Sequence, residues 1–214
     1  MNISSAVFFR SAADLDSCPD ESLPEIAFVG RSNVGKSSLI NLLTRNAGLA
    51  RASATPGHTK TINIFTMNGT WRLVDLPGYG FAEVARKDSA QFSQAVSGYL
   101  EGRKNLICIF ALIDSSLAPQ DIDLEFVEWL GTVSARFVLV FTKTDKSSPT
   151  TVQANIAAFQ ERISTMFEKL PQHFACSATT RRGRDEILRF IGTILPPEAK
   201  KAPVKQAPLR KTPW

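Results

Sequence analysis

Ile26-Ala27-Phe28-Val29-Gly30-Arg31-Ser32-Asn33-Val34-Gly35-Lys36-Ser37-Ser38-Leu39-Ile40-Asn41-Leu42-Leu43 is an apolar strand-length run, a loop with two glycines and a helix-like run in direct succession. Gly30 to Ser37 matches the pattern GxxxxGK[ST], which carries meaning only in this setting, after a strand and at the opening of a helix. Gly30 and Gly35 permit a tight backbone path, so the N–H groups along Arg31, Ser32, Asn33 and Val34 and the helix N-terminus can hold phosphate. Lys36 can reach the β and γ phosphates, and the Ser37 hydroxyl is available to Mg²⁺. By itself the motif specifies a nucleoside phosphate, ATP or GTP.

Further along, Asp75-Leu76-Pro77-Gly78 follows the strand-like Trp71–Val74. A carboxylate there can hold Mg²⁺ through water, and the Gly78 N–H can meet a γ-phosphate. Thr142-Lys143-Thr144-Asp145 ends the apolar run Phe137–Phe141. The Asp145 carboxylate can accept from guanine N1–H and the exocyclic amine together, which adenine does not offer, so the base is expected to be guanine. The Lys143 stem would cover the base plane. Cys176-Ser177-Ala178, where the strand-like His173–Cys176 ends, can give a backbone N–H to guanine O6. Ala52 to Thr61 is small and polar, suited to order around a γ-phosphate and loosen afterwards; Thr55, Thr59 and Thr61 compete there for the metal. His58 reads as a loop residue facing solvent, and His173 as structural.

Outward from these motifs, strand-length runs alternate with helix-period segments, the pattern of a wound α/β sheet. Six strands are expected: Ile26–Val29, Ile62–Met67, Trp71–Val74, Leu106–Ile113, Phe137–Phe141 and His173–Cys176. Leu106–Ile113 and Phe137–Phe141 are apolar throughout, as central parallel strands covered on both faces would be. Asn68-Gly69 marks a hairpin, so one antiparallel strand is expected in a mostly parallel sheet. Val152, Ile156, Phe159, Ile163, Phe167 and Leu170 predict one amphipathic helix, and Ile187, Leu188, Ile191 and Ile194 another.

The 214 residues, 43% hydrophobic and 21% charged, suit one domain of ordinary size with a modest tail. The boundaries expected are an extension over 1–23 that packs on the domain, the domain over 24–196, and a basic, disordered Pro/Lys-rich tail over 197–214. Within the extension, Ile3–Phe9 could add an edge strand or simply pack. The net charge of +5 is local: nine basic and three acidic residues lie between Arg181 and Trp214, and the rest of the chain is near neutral. A basic end of this kind points to a polyanion. No run approaches the roughly 18 apolar residues of a membrane span, and nothing at the N-terminus resembles a secretory signal, so the cytoplasm is expected. Three cysteines without CxxC spacing read as reduced packing residues. No heptad run suggests an obligate oligomer, so a monomer is expected.

Taken together, GRSNVGKSSLIN (Gly30–Asn41), TPGHTKTIN (Thr55–Asn63), DLPGYGFA (Asp75–Ala82) and TKTDK (Thr142–Lys146) resemble the EngB family, also called YihA or YsxC, within the translation-factor-related small GTPases. The resemblance spans about residues 1–195. It implies a three-layer Ras-like P-loop GTPase domain that binds GTP and GDP with Mg²⁺ and hydrolyses GTP. It selects Thr59, with Ser37, for the metal, and Gly57, His58, Thr59, Lys60 and Thr61 as a phosphate-contacting segment. Lys36, Thr59 and Gly78 then form the catalytic set. The family is implicated in assembly of the large ribosomal subunit and in normal cell division and septation. The basic end, Arg181, Arg182 and Arg184 with the tail lysines and Arg210, would meet ribosomal RNA.

Two departures from common GTPases stand out. Thr142 replaces the usual Asn, so a hydroxyl takes over from an amide that braces the phosphate loop. Tyr79 stands where Ras-like proteins carry a water-orienting Gln, so intrinsic hydrolysis is expected to be slow, about 10⁻⁴ s⁻¹ or below. Asn33 matches GTPases activated by a bound K⁺, which would make turnover faster in KCl than in NaCl. Two rivals stay open: a non-hydrolysing GTP-dependent module of the division apparatus, and an ATP-using P-loop kinase, against which Asp145 argues.

Overall fold

A computed structural model describes residues 1–50, 61–80 and 94–197. Seven strands form one sheet: β1 (Ala6–Ala12), β2 (Glu25–Gly30), β3 (Ile62–Met67), β4 (Trp71–Asp75), β5 (Leu106–Asp114), β6 (Phe137–Thr142) and β7 (His173–Ala175). The helices are α1 (Lys36–Thr44), α2 (Gln94–Gly102), α3 (Asp121–Leu130), α4 (Pro149–Ile163) and α5 (Arg184–Ile194). The strand order is β1-β3-β4-β2-β5-β6-β7. Among the described residues only β3 runs against the rest, pairing antiparallel with both β1 and β4, so a single reversed strand stands in a mostly parallel sheet.

Alternation along β2 shows how the three layers arise. Ile26 and Phe28 face one core with Leu39, Ile40 and Leu43 of α1 and Ile187, Leu188 and Ile191 of α5. Ala27 and Val29 face the other, with Val96 and Tyr99 of α2, Leu124, Phe126 and Val127 of α3, and Phe159 of α4. Every residue of β2 is buried, as a central strand covered on both faces must be.

The sheet has seven strands where six were expected. The addition, β1, begins three residues later than the stretch singled out in the sequence. Its first six residues lie open or half-buried, and Val7, Phe8 and Phe9 are among the exposed large apolar side chains. With no buried face, a one-sided hydrophobic pattern could not betray it. A register shift between Phe8 and Arg10 bulges the strand, a device that discourages edge-to-edge pairing. Helix α4 ends at Ile163, short of the expected Leu170. The chain turns at Ser164, and Phe167 packs beside Phe137 with ring centres 5.7 Å apart. Helices α2 and α3 were not anticipated.

At the end of the sheet where β2 starts, Glu25 is fully buried. It accepts from Arg103 Nε (2.8 Å) and Nη2 (2.8 Å), Arg72 Nη1 (3.2 Å) and the Tyr99 hydroxyl. The same guanidiniums reach the carbonyls of Pro19 and Asp20, fastening the chain before β2 to β4 and the end of α2. Burial would raise the Glu25 carboxyl, but these donors outweigh it and hold it below the usual range.

Candidate functional site: a nucleotide pocket on the strand ends

The order β4-β2-β5 makes β2 a topological switch point, and ligands in such sheets bind beyond the carboxyl ends of the strands. The predicted motifs are found there. Gly30 to Ser37 follows β2, Asp75 to Gly78 ends and follows β4, Thr142 to Asp145 ends β6, and Cys176 to Ala178 follows β7. Pairing of Phe28 with Asp75 sets the carboxylate beside the loop.

The phosphate loop is held open by its backbone. Asn33 and Gly35 are left-handed (φ 63° and 109°), and Gly35 leads into α1 with no side-chain cap. The first-turn N–H groups of α1 therefore keep their donors for an anion. Leu76 and Pro77 are buried, whereas Gly78 packs directly on the loop. A methyl group at Gly78 would lie 2.9 Å from Ser32 N. The two segments are also bridged by Ser32 N to Tyr79 O (3.0 Å) and Tyr79 N to Gly30 O (3.3 Å).

Lys36 and Asp75 form the polar centre. Burial pulls the Lys36 ammonium down and pushes the Asp75 carboxyl up to about 6, each partly offset by the other's charge. Asp75 Oδ1 is buried and lacks a hydrogen-bond partner among the described residues. An orphaned carboxylate oxygen within electrostatic reach of Lys36, the residue before the half-buried Ser37, is a donor set that fits a hydrated divalent cation.

The brace expected from Asn is supplied by Thr142. Its hydroxyl lies 2.6 Å from Val34 O and 3.1 Å from Ile113 O, with one proton for two acceptors. Lys143, itself left-handed (φ 58°), places Nζ 2.6 Å from Asp114 Oδ2. Asp114 was missed in the sequence, although it directly follows the run Leu106–Ile113, at the strand end where such residues gather. Thr144 N donates to Cys176 O (3.3 Å), tying the two base loops together. A hydrogen bond from Ser177 holds the Asp145 carboxyl below the usual range. The Ser177 N–H is taken by Arg182 O (3.1 Å), so of the expected donors to guanine O6 it is already committed. The Cys176 side chain is buried, and burial pushes its thiol up to about 12; it supports the loop through its carbonyl. Thr61 is half-buried before β3 and lies within 3.4 Å of Asn63 Oδ1. Gly57, His58, Thr59 and Lys60 lie outside the described residues.

Tyr79 is withdrawn from the pocket. Its ring packs at a tilt against Phe126, with centroids 4.4 Å apart, and its hydroxyl donates to Asp123 Oδ1 (3.0 Å). Asp123 Oδ2 in turn lies 3.3 Å from Arg31 Nε. Burial pushes the Asp123 carboxyl up to about 6, while Arg31 and the Tyr79 hydroxyl pull it back. This Arg31-Asp123-Tyr79 clamp joins three distant parts of the chain and was not visible in the sequence. A Tyr79→Phe variant should lose about 1–2 kcal/mol of stability by stranding a buried acceptor, yet keep its GTP turnover within about twofold. Urea unfolding and phosphate release measure the two; a tenfold fall in turnover would place Tyr79 in the chemistry instead.

A phosphate loop, an Asp-x-x-Gly turn beside it and a Thr-x-x-Asp base loop on one end of a wound sheet define a P-loop GTPase. The family described as "50S ribosome-binding GTPase" matches residues 25–143. A probable GTP-binding protein EngB of Bacteroides thetaiotaomicron is 48% identical over 194 residues, 91% of this chain and 96% of the relative. One from Christiangramia forsetii is 46% identical over 191 residues, 89% of this chain and 96% of the relative. The chain belongs to the EngB family of GTP-binding proteins, and it is a GTPase, converting GTP and water to GDP and phosphate. Among solved structures, a probable GTP-binding protein EngB superposes with a TM-score of 0.59 at 23% identity, covering 79% of this chain and 97% of that one. Era in complex with MgGDPNP and nucleotides 1506–1542 of 16S ribosomal RNA gives a TM-score of 0.62 at 22% identity, covering 88% and 63%. These two share the fold. Among the described residues no helix is long and apolar enough to cross a membrane.

Proposed function

We propose that this chain is a nucleotide-dependent switch in assembly of the large ribosomal subunit, with slow intrinsic hydrolysis, acting in the cytoplasm and needed for normal division. The observation that carries the reading is the sequestered Tyr79. Its side chain is committed to Asp123 and Phe126, so it orients no attacking water, and turnover waits for a group brought by a partner. The family's description as ribosome-binding supports the identity of that partner. The working unit is the domain over 24–196, with 1–23 packed on it and 197–214 as a basic tail.

Lys36 would sit against the β and γ oxygens, Gly78 would offer its N–H to the γ-phosphate, and Asp145 would select guanine. Ser37 and Thr59 would hold Mg²⁺ directly and Asp75 through water; bound there, the ion would neutralise charge developing on the phosphate oxygens. The γ-phosphate would draw Thr59 and Gly78 together and so set the surface a partner reads.

The test is co-sedimentation with large subunits and their precursors, in GDP or a non-hydrolysable GTP analogue, across a salt series. Binding several-fold stronger with the analogue is expected. Equal binding in both states would remove the switch, and no binding to either particle at low salt would favour the division apparatus.

A further inference from the structure

Between the end of α1 and residues 178–185 the surface opens into a cleft of about 690 Å³, bordered by Ser38 of α1 and by Ala178 and lined by Arg45, Arg181, Arg184 and Asp185. Its volume lies in the range of about 300–1,000 Å³ typical of ligand pockets. Its arginines divide into two kinds. Arg184 is buried and committed: Nε and Nη2 cap α1 at the carbonyls of Leu42 (2.9 Å) and Leu43 (2.8 Å), and Nη1 pairs with Asp185 (3.1 Å). This corrects the sequence reading, in which Arg184 faced RNA; it also leaves the one carboxylate in the lining already answered. Arg45 and Arg181 are exposed and pair with no carboxylate among the described residues.

Both free arginines are left-handed, φ 54° and 64°, a conformation that costs roughly 1 kcal/mol or more for a residue with a Cβ. Each sits on a turn that is fixed from within. Asn41 ties its side chain to Ala47 O, Ala50 O and Ala50 N after Arg45. Thr180 N to Ser177 Oγ (3.0 Å) and Ser177 N to Arg182 O (3.1 Å) close the turn that carries Arg181. Two guanidiniums are thus presented across one concave surface from rigid supports. Guanidinium forks match phosphate oxygens in pairs, and a cleft suits a strand of backbone where a flat basic face would suit a bilayer.

We propose that this cleft is a phosphate-backbone site for RNA, contacted by Arg45 and Arg181, and coupled to the guanine pocket through the 177–182 turn. It deepens, and rests on, the reading of ribosomal RNA as the partner. Coupling follows because the turn that carries Arg181 and Arg182 also carries Ser177, which hydrogen-bonds Asp145, and Ala178, a residue expected to meet guanine O6. A phosphate that shifts the turn shifts the guanine contacts, and the effect must run equally in reverse.

The test is fluorescence anisotropy of a fluorescein-labelled RNA hairpin against the full chain with GDP or the GTP analogue, over a KCl series. An Arg45→Gln/Arg181→Gln variant should weaken binding roughly tenfold and lower the log–log salt slope by about two, with an unchanged melting temperature. In wild type the hairpin should change nucleotide affinity by the same factor that nucleotide changes hairpin affinity, and the variant should lose that linkage. A Lys205→Gln/Arg210→Gln tail variant should retain it. An unchanged slope and affinity in the arginine variant would overturn the proposal. So would competitive displacement of the hairpin by GDP, which would make the cleft part of the nucleotide's own pocket, or arginine-dependent binding of phosphatidylserine vesicles with the hairpin ignored. If ribosomal particles fail to co-sediment while the hairpin binds through the two arginines, the partner reading falls and the cleft stands. A hairpin that never binds removes the cleft whatever the particles do.

Discussion

In an Asp145→Asn variant, GTP affinity is expected to fall by roughly two to three orders of magnitude while affinity for xanthosine triphosphate rises. Asp145 is held ionised by the hydrogen bond from Ser177 and follows a loop pinned by Thr142 and Lys143. Guanine N1–H and its exocyclic amine would each make a charge-assisted bond to it. Two to three orders correspond to about 3–4 kcal/mol, the lower part of what two hydrogen bonds to a charged group contribute at about 1.5–3 kcal/mol each. The amide of Asn offers a donor to the xanthine carbonyl that stands where guanine has its amine. Competition against a fluorescent guanine nucleotide measures the change. Retained GTP preference would mean that the base pocket lies elsewhere.

The second large effect falls on stability. Replacing Glu25 by Ala leaves Arg72 and Arg103, both almost fully buried, without their shared carboxylate. Breaking a buried ion pair from one side costs about 3–5 kcal/mol, a large share of the 5–15 kcal/mol that holds a domain of ordinary size. Urea unfolding at neutral pH measures it, and a loss under about 1 kcal/mol would mean that water reaches the guanidiniums. The pH dependence has a definite sign. The folded Glu25 carboxyl lies below its unfolded value of about 4.3, so its contribution is present above that pH and lost as pH falls through the folded value. The gap between wild type and variant should therefore narrow in acid, below about pH 4.

How much of this could be read from the chain depended on range. Gly30 to Ser37 was legible because a strand, a loop and a helix start are encoded side by side, and six strands announced themselves by unbroken or alternating apolar runs. Strand β1 stayed one of two alternatives for the stretch Ile3–Phe9, since an edge strand with open faces has no buried pattern to decide it. Helix α4 was drawn too long because Phe167 and Leu170 continue the spacing after Ser164 has turned the chain away. The clamp of Arg31, Tyr79 and Asp123 and the network around Glu25 join residues 44 to 92 positions apart, which local periodicity does not encode. Arg184 was misassigned for the same reason: a charge next to other charges reads as surface until the helix end it caps comes into view.

The lone reversed strand has one more consequence. In a parallel sheet, only segments that leave strands arrive at the carboxyl end, and segments that enter strands are confined to the opposite end. Because β3 runs backwards, with Asn63 opposite Asp75, the chain enters it at the end where β2, β4 and β6 finish. A single inversion of polarity thus allows an entry segment to share a rim with the segments that leave β2, β4, β5, β6 and β7. The same hairpin joins β3 to β4 through Asn68 and Gly69, so Thr61 and Asp75 stand near the two ends of one folded-back ribbon. Two sides of the pocket are in this way parts of one hinged strip of chain.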